Sequence, residues 1–248
     1  MNNYKILGII IVIGIILSIC AVTISANISS NDNDDNEKYN IATLNAKDLN
    51  HSTNTTHIVN LNINQISGGT NIKFANTDSY YNVSSSMKNN TKVSYDNNNN
   101  SINVNISSNN TENNIVLSNK YTYIINSNIT AGGININATD GNILRFNNYI
   151  VAGGANIDLN NGSVYLINNT INTGGMNVIG TPLVITDIDS NINVGGLNIQ
   201  SDSLEVKSNN IELGGTSLRN ISSNDTHNKI RLNSDIQVGG ANLISTDH

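Results

Sequence analysis

Isoleucine, glycine and asparagine recur in a fixed order along the second half of the chain. Six Gly-Gly pairs follow one another there with a period of about 21 residues, the last two intervals being slightly shorter and slightly longer. An isoleucine stands three residues before each pair, and an aliphatic residue stands three residues after the second glycine. Asparagine precedes that aliphatic residue in five of the six copies. The chain therefore repeats the pattern Ile-x-x-Gly-Gly-x-Asn-aliphatic.

The repeat residues fall into three sets. The glycine pairs are Gly132-Gly133, Gly153-Gly154, Gly174-Gly175, Gly195-Gly196, Gly214-Gly215 and Gly239-Gly240. The isoleucines are Ile129, Ile150, Ile171, Ile192, Ile211 and Ile236. The asparagines are Asn135, Asn156, Asn177, Asn198 and Asn242, and Ser217 takes that place in one copy.

Each repeat predicts short β-strands. Runs such as NILRF, SVYLI and LVITDI are rich in Ile and Val, which favour strands. After Ala26 no stretch keeps a helical period, and asparagine this dense opposes helix. Polar pairs such as Asn147-Asn148 and Asn168-Asn169 interrupt the runs, and these residue types predict turns there. We expect two or three short strands in each repeat.

Repeats of this length predict an all-β fold, a parallel β-solenoid with coils of about 21 residues. Equivalent positions of stacked coils lie about 4.8 Å apart, so the isoleucines should form columns inside. The glycine pair should let the chain bend where a Cβ would clash, or take a positive φ. The asparagine after it should form a ladder of side-chain amides.

The repeat also has a weaker copy upstream. The segment QISGGTNIKF, residues 65–74, contains Gly-Gly-x-Asn-Ile, and its first glycine, Gly68, stands close to three periods of the repeat before Gly132. Residues 75–125 are therefore predicted to hold two degenerate coils, with SINVNI and NNIVLS as strands. An irregular cap is the alternative for this part. Regular coils are expected from about residue 121.

The N-terminal segment predicts a membrane anchor. Residues 6–26 read ILGIIIVIGIILSICAVTISA without a charge, which matches the ~20 residues of a transmembrane helix. A cleaved signal peptide is the alternative, although its apolar region is normally only ~7–15 residues long. Lys5 precedes the segment and four acidic residues follow it, so the positive-inside rule predicts that the rest lies outside the cell.

These observations divide the chain into three parts. Residues 1–26 form the transmembrane anchor or signal peptide, and residues 59–248 form the β-solenoid repeat domain. Residues 27–58 between them include ISSNDNDDNEKYN and have too little apolar surface to offset ordering entropy, so a polar disordered linker is expected.

The composition argues against some partners and some means of stabilisation. Only 12% of residues are charged, the net charge is −6, and about a fifth of the sequence is asparagine. The chain has no cluster of Lys and Arg that could neutralise phosphates, which argues against nucleic acid as a partner. Its single cysteine, Cys20, allows no disulfide within the chain, so packing and backbone hydrogen bonds must hold the domain.

Candidate chemistry is sparse. Calcium β-rolls also begin Gly-Gly but need Asp at the sixth position, where only Asp158 fits. The four histidines have no metal-ligand spacing. Carbohydrate cleavage needs two or three carboxylates together. One region has enough carboxylates to be considered, and they are Asp187, Asp189, Asp202, Glu205 and Glu212. We expect no catalytic, cofactor-binding or metal site.

Two surface tyrosines suggest a binding role instead. Tyr149 and Tyr165 lie in adjacent predicted coils, where aromatic rings could stack on sugars or merely cover strand edges.

The chain resembles the adhesin-like surface proteins of bacteria and archaea, in particular those of methanogens. The resemblance covers roughly residues 60–248 plus the anchor and depends on the Gly-Gly-x-Asn-aliphatic motif and the coil length. It implies a single-pass cell-membrane protein with an extracellular β-solenoid that binds other cells, glycans or wall polymer. It transfers no functional residues.

Three alternatives remain. A bactofilin-like scaffold would polymerise end to end, because the chain ends in VGGANLISTDH with no evident cap and an open edge invites another chain. A polysaccharide-active β-helix enzyme is the second, and an asparagine-rich disordered stalk is the third.

Overall fold

The computed structural model describes residues 38–49, 58–98, 101–219 and 228–245, and nearly all of these residues are in strands. Two short 3-10 helices, Ala46–Asp48 and Lys88–Asn90, interrupt them. The strands are β1 (Tyr39–Asn45), β2 (Ile58–Ala75), β3 (Ser79–Ser85), β4 (Thr91–Asn98), β5 (Ser101–Ser108), β6 (Thr111–Ser118), β7 (Thr122–Asn137), β8 (Asn142–Asp158), β9 (Ser163–Val164), β10 (Leu166–Ile179), β11 (Thr186–Ser201), β12 (Leu204–Arg219) and β13 (Ile230–Ser245).

All the strands belong to one sheet. Its main path runs β1-β3-β6-β2-β7-β8-β10-β11-β13-β12, while β4, β5 and β9 pair beside that path. Along this path, all neighbouring strands from β2 to β12 are parallel to one another. At the opposite end β3 lies antiparallel to β6 and to β1, and β4 lies antiparallel to β5. The expectation of an all-β fold built mainly on parallel strands is confirmed.

Seven long strands form the regular part of the sheet, and we call each of them a layer. In spatial order the layers are β2, β7, β8, β10, β11, β13 and β12. The first glycine of each pair lies beside the first glycine of the next layer, so all seven layers share one register. Equivalent residues of successive repeats therefore form columns that cross the layers.

Each layer bends at its Gly-Gly pair. In β7 the buried residues before the pair end at Ile129, and those after it begin at Ile134, five residues later. An odd spacing would put these side chains on opposite faces of a straight strand, yet both belong to one core. In β2 the Thr70 hydroxyl donates to the Gln65 side chain over 2.6 Å, also five residues apart. The bend therefore turns both halves of a layer towards the same interior.

The first glycine of each pair is required for two reasons. Gly153 has φ +142°, in a region that side chains disfavour, and the other first glycines have positive φ values as well. A Cβ on Gly153 would also collide with the carbonyl oxygen of Gly132 in the preceding layer. The same collision with a neighbouring carbonyl recurs at Gly174, Gly195, Gly214 and Gly239. Glycine at this position thus allows the layers to approach closely.

Four columns of apolar side chains fill the interior, and nearly all members from β7 to β13 are fully buried. The repeat isoleucine and the aliphatic residue after the repeat asparagine each supply one column. Burying one such side chain contributes about 1.5–3 kcal/mol, so every layer adds several favourable contacts to its neighbours. The members are Ile125, Phe146, Ile167, Ile188 and Leu232; Ile129, Ile150, Ile171, Ile192 and Ile236; Ile134, Ala155, Met176, Leu197 and Ala241; and Ile136, Ile157, Val178, Ile199 and Leu243.

The turns lie elsewhere than the polar pairs predicted. Asn147 and Asn148 stand in the middle of β8, so the prediction of a turn there is wrong. The connections are short segments after each layer, such as residues 138–141 and 159–162. Asp140 and Asn161 take positive φ values of 58° and 53° in them, each directly before a glycine. Asp-Gly and Asn-Gly are ordinary turn dipeptides, and this signal was available in the sequence.

The upstream copy is placed differently from the prediction. Gly68 pairs directly with Gly132, so no coil lies between β2 and β7. The chain between them instead crosses to the other side of β2, where β5 and β6 pair with its two halves. The predicted strands SINVNI and NNIVLS are present within β5 and β6. A separation of three periods does not fix which strands are neighbours.

The last two layers do not follow chain order. β13 lies between β11 and β12, with Ile236 beside both Ile192 and Ile211. The outermost layer is therefore β12, whereas the sequence predicted an open edge at the final copy of the repeat. Because every copy carries the same pattern, β13 fits against either neighbour.

Strand structure also begins earlier than composition predicts. β1 lies inside residues 27–58, the predicted linker, and pairs with β3. Leu44 is 3% exposed there, so one apolar side chain joins this segment to the core. The predicted anchor, residues 6–26, lies outside the described residues, and among the described residues no helix is long and apolar enough to cross a membrane.

In the glycine pair of β2 we expect alanine to be tolerated at the second glycine but not at the first. Gly68→Ala should lower the free energy of unfolding by at least about 2 kcal/mol, because φ is +110° and the new Cβ meets the Thr111 carbonyl. Gly69→Ala is the matched control, because its Cβ would meet only the Glu112 side chain at 3.9 Å. Chemical unfolding followed by circular dichroism would measure both, and equal losses would contradict this account of the bend.

Candidate binding surface

An outward column of mainly polar side chains crosses the sheet from β5 to β12, four residues before the glycine pairs. We call it the polar stripe. Its eight members belong to successive strands, and at about 4.8 Å per strand they extend over roughly 34 Å. In spatial order they are Ser107, Asn64, Asn128, Tyr149, Thr170, Asn191, Asp235 and Asn210.

Two grooves lie along the stripe. The first, of about 520 Å³, is lined by Thr170, Asn191 and other residues of the last four layers, including Asp235. The second, of about 500 Å³, is lined by Asn64, Asn128 and their neighbours at the other end of the sheet. Both are shallow and lined mainly by polar residues, and the stripe connects them.

Tyr149 stands on the stripe between the two grooves. Its side chain is 41% exposed, and its hydroxyl accepts a hydrogen bond from Asn172 Nδ2 over 3.3 Å. Asn172 in turn accepts one from Asn193 Nδ2 over 3.2 Å. These two amides fix the hydroxyl end of the ring and leave part of its surface available. The other predicted tyrosine, Tyr165, is 45% exposed but precedes β10 and does not lie on the stripe.

A second outward column, two residues earlier in each layer, forms a ladder of side-chain amides. Asn126 donates to Asn62 over 2.9 Å, Asn147 to Asn126 over 2.7 Å and Asn168 to Asn147 over 2.8 Å. Asp189 occupies the next position, and a carboxylate can only accept hydrogen bonds. It receives one from Asn233 over 2.8 Å. These side chains are thus largely engaged by one another.

The repeat asparagines after the glycine pairs also lie in one column. Asn135 donates to Asn71 over 2.7 Å, and Asn156 donates to Asn135 over 2.9 Å. Further along, Asn198 donates to Asn177 over 2.6 Å and Asn242 donates to Asn198 over 2.7 Å. Each donating amide points towards the preceding layer, so these bonds join β2 to β8 and β10 to β13 in two runs.

A third ladder runs inside the core, where the sequence had predicted turns. Ser127 Oγ donates to Asn148 over 2.5 Å, Asn148 donates to Asn169 over 2.8 Å, and Asn169 donates to Ser190 over 3.0 Å. All four residues are at most 5% exposed. Buried polar groups are costly unless they are paired, and here identical positions in neighbouring layers supply the partners.

The polar stripe differs from these ladders because three of its four amides are free, the exception being Asn210, which donates to Asp235 over 3.3 Å. Within the described ranges, the side chains of Asn64, Asn128 and Asn191 donate and accept no hydrogen bond, and all three are exposed. An amide offers two donors and one acceptor oxygen. The stripe can therefore offer amide, hydroxyl and aromatic groups to a ligand without breaking bonds that hold the layers together.

The carboxylates considered from the sequence are not gathered into one site, and four of them are held by separate partners. Lys229 lowers the pKa of Glu205 by hydrogen bond and charge. Among the described residues no group of three His, Cys, Asp or Glu side chains could hold a metal ion. The contacts are Asp187 with Arg231 at 2.6 Å, Glu205 with Lys229 at 2.8 Å, Asp189 with Asn233 at 2.8 Å and Asp202 with Thr181 at 2.6 Å.

Comparison with known proteins gives a structural likeness alone. No family model matches the chain, and no curated protein matches it. Among solved structures the fold is similar to that of a candidate cell adhesion protein from Clostridium sporogenes, with a TM-score of 0.52 and 15% sequence identity. The similarity covers 84% of this chain and 99% of the other. At that identity the likeness concerns the fold.

We expect the buried ladder to contribute more stability than the outward one. Asn148→Ala should cost about 2–4 kcal/mol, because it leaves polar atoms of Ser127 and Asn169 unpaired in the core. Asn147→Ala removes two similar amide bonds from a half-exposed column where water replaces them, so about 1 kcal/mol is expected. Urea unfolding of the two variants in parallel makes the comparison, and a larger loss for Asn147→Ala would contradict it.

Proposed function

We propose that this chain is a membrane-anchored, extracellular adhesin-like surface protein that binds glycans or wall polymer through the polar stripe. The observation that carries the proposal is a continuous column of outward polar side chains, most of them without a hydrogen bond to another side chain, with one exposed tyrosine, Tyr149, at its middle. The likeness in fold to a candidate cell adhesion protein supports it.

The sheet is proposed to coil as a parallel β-solenoid. Parallel neighbours in an open sheet need a crossover of a dozen residues or more, whereas four residues connect β7 to β8. A connection this short requires the end of one layer to lie near the start of the next. Together with the bend at each glycine pair, this supports a chain that winds around its core once in every repeat.

Residues 6–26 are proposed to hold the solenoid at the cell membrane. The support is the uncharged apolar length, with Lys5 before it and acidic residues after it. A stack of layers held outside the cell would present the polar stripe along its length to neighbouring polymers.

A glycan matches the chemistry of the stripe better than other ligands do. Amide and hydroxyl groups pair with sugar hydroxyls in both donor and acceptor roles, and an exposed ring such as Tyr149 can cover the apolar face of a sugar. Asp235 is the one charged member of the stripe, and the exposed Lys92 of β4 lies beside Ser107 at its other end. One charge of each sign towards opposite ends favours a neutral polysaccharide that runs across the layers.

Location is tested by protease treatment of intact cells that carry a C-terminally tagged chain. We expect the tag to be lost while a cytoplasmic control protein stays intact, because residues beyond the anchor should be outside. A tag that is protected in intact cells but degraded after lysis would place the domain inside and contradict the proposal.

Binding is tested with immobilised neutral polysaccharides and the purified full chain. Tyr149→Ala and Asn191→Ala should each weaken binding roughly tenfold, since a well-placed stacking or hydrogen-bonding contact is worth about 1–1.5 kcal/mol. Gln200→Ala is the control, because Gln200 is exposed on the other half of β11. An equal loss for Gln200→Ala, or no loss for either stripe variant, would exclude the stripe as the site.

A further inference from the structure

The two ends of the stack are built differently. At one end the sheet finishes in steps, with β4 outside β5 on one half and β3 and β1 outside β6 on the other. At the other end a single strand of 16 residues, β12, covers both halves of the last layer. Within the described ranges nothing pairs with the outer edge of β12, so its backbone donors and acceptors there face outward.

The outer layer also leaves interior positions uncovered. Leu218 occupies the column of Leu243, which is fully buried, yet Leu218 is 58% exposed. Ile211 occupies the column of the buried Ile236 and is only partly covered. Two aliphatic side chains that would be enclosed by a further layer are thus left partly open at this end.

The glycine pair of β12 also indicates that a further strand could lie beside it. A Cβ on Gly240 would lie 2.9 Å from the carbonyl oxygen of Gly215 in the adjoining layer, and one on Gly175 would lie 3.0 Å from that of Gly196. A Cβ on Gly215 would meet nothing within 4 Å. The second glycine of β12 therefore has the spacing for an approaching strand without having one among the described residues.

We propose that β12 pairs antiparallel with β12 of a second copy of this chain, about a two-fold axis at the glycine bend. In this register Gly214 lies opposite Gly215 of the other copy, and Ile211 lies opposite Leu218. The two-fold axis must pass through the glycine bend, because only then does each half of one strand lie alongside a half of the other. Both members of the Ile211–Leu218 pair are inward positions, so the pairing extends the apolar columns across the junction.

Charge supports the same register. Asn210 and Glu212 are outward positions on one half of β12, and Ser217 and Arg219 are outward positions on the other. The pairing sets Arg219 opposite Asn210 of the second copy and diagonal to Glu212, within reach of a long side chain. Among the described residues neither Glu212 nor Arg219 has an ion-pair partner. Two-fold symmetry forms this contact twice and closes the assembly as a dimer.

A charge exchange tests the interface. The full chain, purified in detergent, would be examined by sedimentation over a range of concentrations, and we expect a monomer–dimer equilibrium. Glu212→Arg or Arg219→Glu alone should weaken the dimer by roughly tenfold, because each turns two attractive contacts into repulsive ones. The double variant Glu212→Arg/Arg219→Glu should restore it. Lys73→Glu is the matched control, since Lys73 is the exposed residue of the same column in β2 and carries the same charge change.

Three results would overturn the proposal. A monomer at all concentrations excludes the interface. A dimer that neither single variant weakens is held together elsewhere, for example by residues 6–26. Growth beyond the dimer indicates head-to-tail stacking onto the stepped end instead. The interface meets the polar stripe only at its end residue, Asn210, so these results are independent of the proposed glycan binding through Tyr149 and Asn191.

Discussion

The close approach of one glycine carbonyl to the glycine of the next layer is the contact on which the rest of the structure depends. A Cβ on Gly174 would collide with the Gly153 carbonyl, and one on Gly195 with the Gly174 carbonyl. A slip of one residue in one direction, or of two residues in either direction, would bring a side chain into that space. Register is therefore fixed at one point of each layer, and it is then carried along both halves of the strand by backbone hydrogen bonding.

Fixed register explains why so many polar groups can be tolerated. In an ordinary core a buried asparagine such as Asn148 needs a hydrogen-bond partner from an unrelated part of the fold. In a stack of aligned repeats the partner is the same residue one layer away, and the amide has both the donor and the acceptor that a ladder needs. A chain that is about a fifth asparagine can thus build a stable sheet.

The sequence predicted the layers themselves well, but it predicted the turns and the order of neighbouring strands poorly. The glycine pairs and repeat isoleucines predicted parallel, aligned strands because those residues report a local requirement, namely a bend and a buried column. The polar pairs misled because asparagine satisfies hydrogen bonds equally well in a turn and in a ladder, as Asn148 shows. Neighbour order could not be predicted at Gly68 or at β13, since identical patterns fit against several layers. The stripe was not recognised because its members are of five residue types, and asparagine accounts for only half of them.

The variety of residue types along the stripe has a physical meaning. The outward ladder residues Asn126, Asn147 and Asn168 hold one another, so a change at one of them leaves its neighbours unpaired. Most stripe side chains do not hydrogen-bond to one another. Tyr149 and Thr170 can therefore lie side by side between asparagines without disturbing the register. The proposed binding surface can therefore change along this column while the stack stays intact. Its affinity would come from many modest contacts spread over several layers, so that long polymers are held far better than short ones.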